Sequence, residues 1–230
     1  IILGFNTVYA PLISKELSNK LRKRVRNMSF NHIDKLAHNN KVLKANMTID
    51  PFCYFTEKEY YNWLLEYGYI DFSITTSIID LCTKEKDLKK NFRTSYKTLI
   101  NKGLRTYDIS IYDSGNITYK VFKEYEKMHE KAAGRKTRNK KSFDIQYKNV
   151  LANNATLIGA KYKEMFVQFV YFNHFNGYVY YSSSTDNLDF DKSDVPISYA
   201  LLWSAIIYFK EKKNNHLEMG WQQYTKQLFI

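Results

Sequence analysis

The sequence predicts an α/β or α+β fold, a mixed and largely antiparallel sheet covered by helices. Three observations predict it. From residue 104 onward the elements run β-α-α-β-β-β-α-β. The three consecutive strands are separated by turn signals, and Asn176-Gly177 is a strong hairpin dipeptide. The helical segments repeat apolar residues at three- and four-residue steps, which places one side of each helix on a core.

Near the start, residues 15–26 (KELSNKLRKRVR) are crowded with basic side chains on a helix-compatible pattern. Thr56-Glu57-Lys58-Glu59 reads as a capping box, in which a hydroxyl and a carboxylate satisfy orphan backbone donors. It opens a helix through Tyr60, Trp63, Leu64 and Tyr67, with Gly68 as its stop. The run from Ile74 to Leu81 reads as a strand. A helix is expected from Glu85 to Asn101, with Leu88, Phe92, Tyr96 and Leu99 on its apolar side and Gly103 ending it. Lys86, Lys90, Arg93 and Lys97 stack on another face, as a solvated surface or as an anion-binding ridge.

A strand over Thr106–Tyr112 leads through Ser114-Gly115-Asn116 into a helix over Tyr119–Ala132, with Val121, Phe122, Tyr125 and Met128 inward. The basic stretch from Lys131 to Arg138 breaks the chain before a second helix, capped by Ser142 and running through Asn153. Strands follow at Ala155–Lys163, Met165–Asn173 and Gly177–Ser184. Ser193, Asp194 and Pro196 start a helix over Ile197–Lys213, and His216–Gly220 is the last strand.

The 230 residues are 44% hydrophobic, enough for a real core, and carry a formal charge of +12 that favours anionic partners without choosing among them. The many Tyr and Phe fit either stacking surfaces or plain codon bias. Cys53 and Cys82 are too few and too far apart for a disulfide framework or metal site; both read as buried or half-buried thiols in a reducing, cytoplasmic compartment. No apolar run approaches the roughly 18 residues of a membrane span. Residues 1–10 do not read as a signal peptide, and the chain reads as a fragment.

Five segments then converge: FRTSYKTLINKG (92–103), HEKAAGRKTR (129–138), YYSSSTD (180–186), PISYALLWSAIIYFKE (196–211) and HLEMG (216–220). In order and spacing they resemble the FemAB-like subgroup of the GNAT superfamily over about residues 74–220. The resemblance implies a GNAT-like sheet in which residues 81–230 form an acyltransferase domain lacking its C-terminal elements. Residues 1–80 are expected to be a degenerate N-terminal GNAT-like part. It implies transfer of an acyl or aminoacyl group to an amine of a cell-envelope precursor, a peptidoglycan peptide or surface-sugar intermediate. The donor would be acyl-CoA or aminoacyl-tRNA, with no tightly bound cofactor and no metal. Partners implied are an anionic precursor and, with one of the two donors, tRNA; peripheral membrane contact and oligomeric state stay open.

Such chemistry needs an unprotonated amine, a polarised carbonyl and positioning. The resemblance implies that strands 178–184 and 217–220 part to expose backbone N–H groups to the donor carbonyl. The helix start at Ile197, Ser198 and Tyr199 would face the donor's phosphates, since a helix N-terminus favours anions. The R/Q-x-x-G-x-G/A loop typical of acetyl-CoA enzymes is missing. Glu218, in an otherwise apolar strand, is a candidate base or amine-holding residue and stands where the family has Asp. Asp186 and His129 are further catalytic candidates, although a helix-end His also serves as a donor to backbone carbonyls. Arg135 and Arg138 suit a pyrophosphate or carboxylate, or they tie their loop to helix ends. Tyr181, Ser182 and Ser183, with Ser184, are acceptor-site lining or turn formers, and Arg93 and Lys97 belong to the basic stripe. No Ser-His-Asp or Cys-His arrangement is present, so direct amine attack is expected. The alternatives are an acyl-CoA-dependent N-acyltransferase on a nucleotide sugar and a non-catalytic nucleic-acid-binding module.

Overall fold

The computed structural model describes residues 8–11, 13–14, 16–52, 62–190 and 195–222. The expected capping box at 56–59, and Cys53, Ser193 and Asp194, lie outside them. The chain divides into two units, 1–74 and 75–230.

The first unit holds β1 (Val8–Tyr9), α1 (Asn19–Asn39) and β2 (Met47–Thr48), with β1 and β2 parallel. Ser18 caps α1 by accepting from the Leu21 N–H, so the basic stretch is helical from Asn19 onward. Phe30 and Trp63 form an aromatic core with Leu64, and Tyr67 stacks on Phe30 at 4.1 Å. Residues Trp63–Tyr67 make a 3₁₀ turn, and Gly68 stops it in the left-handed region, at φ +77°.

The second unit is a six-stranded sheet between two helical layers. Its strands are β3 (Thr75–Asp80), β4 (Asp108–Tyr112), β5 (Ala155–Tyr162), β6 (Met165–Phe175), β7 (Tyr178–Asp186) and β8 (His216–Gln222). Its helices are α2 (Glu85–Asn91), α3 (Thr94–Thr106), α4 (Tyr119–Ala132), α5 (Lys140–Leu151) and α6 (Ile197–Glu211). The strand order is β3-β8-β7-β6-β5-β4, antiparallel except for the β7–β8 pair. Alternation along the strands feeds two cores. Ile158, Val170 and Phe172 pack beneath α2, α3 and α6, while Leu157, Phe169 and Tyr171 pack beneath α4 and α5. This is a GNAT-like arrangement.

Several expectations are corrected. The helix expected over 85–101 is two helices. Phe92 adopts an extended backbone and turns its ring edge-on to Trp203, 5.7 Å away, and Arg93 becomes the N-cap of α3. Lys86 and Lys90 therefore sit on α2 and Lys97 on α3, so the four cations do not share one helix face. The Lys97 Nζ donates to the Lys90 carbonyl at 3.1 Å. Gly103 lies inside α3 rather than beyond its end. A Cβ there would stand 2.6 Å from the Ala200 Cβ, so glycine is what lets α3 and α6 touch. The cap of α5 is Asn139, whose side chain accepts from the Ser142 N–H. Cys82 is exposed, held in a turn by its N–H bond to Asp80 Oδ1. Beyond these corrections, β8 is flanked on both sides, because β3 pairs along its outer edge.

Candidate functional site

Strands β7 and β8 pair over only three positions, Tyr178–His216, Val179–Leu217 and Tyr180–Glu218. Strand β7 continues to Asp186 and β8 to Gln222, yet beyond Tyr180 and Glu218 they share no ladder. Each is held apart from the other by its outer neighbour, β6 on one side and β3 on the other. The divergence leaves a wedge edged by main-chain groups that a regular parallel pair would consume. Two local features sharpen it. Ser182 is the extra residue of a bulge against β6, and bulges bend the strand that carries them. Gly220 sits at φ +82°, where a Cβ would stand 3.3 Å from the Tyr181 ring.

Glu218 lies at the root of the wedge. Its neighbour Leu217 belongs to the core beneath α6, so by alternation the carboxylate is on the sheet face covered by α4 and α5. It is only 5% exposed and accepts a hydrogen bond from the Thr76 hydroxyl, which also stands 2.8 Å from the Gly220 carbonyl. A carboxylate so buried needs a partner, and Thr76 reaches it from β3.

On that same face, Ser183 meets the Tyr125 hydroxyl at 2.7 Å. Tyr125 is fully buried and stacks on Tyr171, and burial raises its pKa, so the phenol stays neutral. The charge of Arg138 acts on both tyrosines and on His129. The His129 imidazole packs edge-on to Tyr125 and Phe143, with Nδ1 3.4 Å from the Thr137 hydroxyl rather than on a carbonyl. Burial first, and Arg138 second, lower its pKa. The last turn of α4 thus contributes His129 and the α4–α5 loop Arg138, while Arg135 is exposed on that loop. Ser182 is engaged separately, accepting from the Asn173 amide at 2.8 Å.

The opposite face carries the other group of expected residues. Tyr181 packs against Phe172 and the core beneath α6, and burial raises its pKa. Asp186 and Ser198 are joined by Gln168, whose Nε2 donates to Asp186 Oδ1 at 2.7 Å and to Ser198 Oγ at 2.9 Å. The carboxylate therefore stands within two hydrogen-bond lengths of the first turn of α6, which has no side-chain cap. Ile197 packs against the core and Tyr199 lies against Tyr96, ring centroids 5.0 Å apart. Arg93 sits above Tyr96. Asp186 and Glu218 do not share a site: about 20 Å of strand separates Asp186 from Tyr180, the residue paired with Glu218.

Gln168, Thr76 and Tyr125 were not singled out by the sequence. Gln168 is an amide set among apolar residues of its strand, which is a legible signal of a buried polar role. Nothing local marks Thr76 or the Tyr125 hydroxyl. Among the described residues no cluster of His, Cys, Asp and Glu could hold a metal ion, and no helix is long and apolar enough to cross a membrane.

No family model matches the chain, and no curated protein matches its sequence. Solved structures do match in fold. A structure of FemX has a TM-score of 0.51 at 13% identity, over 66% of this chain and 54% of that one. L-PGS from Bacillus licheniformis has a TM-score of 0.56 at 16% identity, over 84% and 58%. The C-terminal domain (DUF2156) of a putative lysylphosphatidylglycerol synthetase from Agrobacterium fabrum has 0.56 at 11% identity, over 84% and 59%. The chain spans between 54% and 59% of the length of these three. The chain thus shares its fold with these three structures.

Proposed function

We propose that this chain is a FemX-like transferase that moves an acyl or aminoacyl group onto an amine of a cell-envelope precursor by direct attack. The observation that carries this is the β7–β8 wedge with Glu218 buried at its root. The parted strands connect the two faces of the sheet. The donor lies along the α6 face, past Tyr181 and Ser198, and presents its carbonyl to main-chain N–H groups of the wedge. These stabilise the negative charge that develops on its oxygen. The acceptor lies on the α4–α5 face near Ser183, with Arg138 and Arg135 toward its anionic groups.

The amine nitrogen attacks the carbonyl carbon and forms the C–N bond. Glu218 takes the proton that the nitrogen sheds, and the carbon's bond to the donor oxygen or sulfur breaks. That proton then neutralises the departing alkoxide or thiolate, so charge balances without a covalent enzyme intermediate. The Thr76 hydroxyl fixes the carboxylate for this task. Two features favour an aminoacyl ester over acyl-CoA as donor. The phosphate-binding loop is missing before α6, and the Asp186 carboxylate stands beside the helix start that a diphosphate would need. A neighbour whose name pairs lysyl with phosphatidylglycerol fits the same reading.

Replacing Glu218 by Gln keeps the size and the Thr76 contact but removes the proton acceptor. The expected result is a transfer rate reduced roughly 10²- to 10⁴-fold with donor affinity unchanged. A variant that retains a rate within about threefold of the parent removes Glu218 from the chemistry.

A further inference from the structure

The first unit carries an apolar tip with no role in the transfer site. Helix α1 ends in a closed Schellman turn: the Val42 N–H donates to the Ala37 carbonyl at 2.9 Å and the Lys41 N–H to the His38 carbonyl at 3.1 Å. Lys41 adopts the left-handed conformation at φ +51°, and the Asn40 amide donates to the Leu36 carbonyl at 2.8 Å. The chain is therefore fixed at the turn. What it fixes outward is Leu36, Val42 and Leu43, all exposed, with Leu43 at 101%. Lys35, Lys41 and Lys44 flank them and are exposed as well. No acidic residue occurs from Lys35 through Ile49.

From this we infer that the 35–44 tip is a docking surface for an anionic lipid bilayer. Apolar side chains at an exposed turn suit insertion below the headgroups, while the three lysines stay at their level and meet lipid phosphates. A protein partner fits less well, because protein–protein interface cores are depleted in Lys. The exposed stripe continues back along α1 through Met28 and Leu21, one helix side that would lie along the same surface. The inference extends the envelope-precursor reading but does not depend on it, since vesicle binding requires no transfer activity.

The test uses the full chain and vesicles of phosphatidylcholine, with or without phosphatidylglycerol, in a co-sedimentation assay. Binding to the anionic vesicles is expected, weakening as salt rises. Val42→Ser with Leu43→Ser should reduce partitioning about tenfold, and Lys41→Glu with Lys44→Glu should reduce it at least as much. Circular dichroism and transfer to a water-soluble acceptor should stay at parent levels in both variants. Absence of binding overturns the inference. So does binding that both double variants retain, which would assign it to the general +12 charge. Concentration-dependent self-association lost in the serine variant would instead make the tip a contact between copies, and would overturn it too.

Discussion

At the scale of single residues the sheet divides polar groups between its faces. Glu218 and Ser183, with the Tyr125 hydroxyl that Ser183 meets, stand on the α4–α5 side, and Asp186 and Ser198 stand on the α6 side. His129 gives this division a pH signature. Its folded pKa lies below the unfolded imidazole value of about 6.5, because burial and then Arg138 disfavour the cation. The unfolded chain therefore binds the proton first. Stability is fully present above about pH 6.5 and is lost as pH falls toward the folded value. His174 has the same sign, from burial and then Lys212. Thermal midpoints measured from pH 7.5 down to 5 should fall, and His129→Asn should flatten the slope over that window. An unchanged slope would mean that His129 titrates alike in both states.

At the scale of elements, the contact between α3 and α6 fixes the start of α6, because Gly103 lies against Ala200 and the Pro196 carbonyl. Gly103 permits it, and Gly103→Ala tests it. In an isolated helix alanine is the better residue by about 1 kcal/mol. Here its methyl group would fall 2.6 Å from the Ala200 Cβ, an atom fixed to its own backbone. The collision should outweigh the propensity gain and lower stability by about 1–3 kcal/mol, read from chemical denaturation. An alanine variant as stable as the parent would show that α3 and α6 are not held this close. The same residue shows why local reading has limits. Glycine signals both a helix stop and a close helix approach, and only the partner helix tells them apart. Phe92 is similar: it keeps the apolar period of a continuous helix, and only Trp203 explains why it turns out of one. Helix α4 was legible at both ends, because its apolar stripe, the turn before it and the basic break after it are local; its Thr118 cap emerged only in the structure.

At the scale of the whole molecule, the second unit's strand succession was readable because its hairpins are short and their turn residues distinctive. The closure of the sheet by β3 was not. It pairs residues 75–80 with 216–222, and no local pattern specifies a partner so far along the chain. The site followed the same rule. Glu218 stood out as an acid in an apolar strand, and Ser198 and Asp186 lay in matched segments. Their joining by Gln168 required the β6–β7 register.

The central claim is that the donor carbonyl is held in the β7–β8 wedge. The direct measurement is amide hydrogen exchange of the full chain, with and without a non-reactive amide-linked analogue of aminoacyl-tRNA. Those amides of residues 181–184 and 219–220 that face the wedge, rather than β6 or β3, should exchange freely in the unliganded protein and become protected on binding. Those of 157–160, already inside the central ladder, should not change. Saturable binding that leaves 181–184 and 219–220 exchanging as before would place the donor elsewhere and contradict the account.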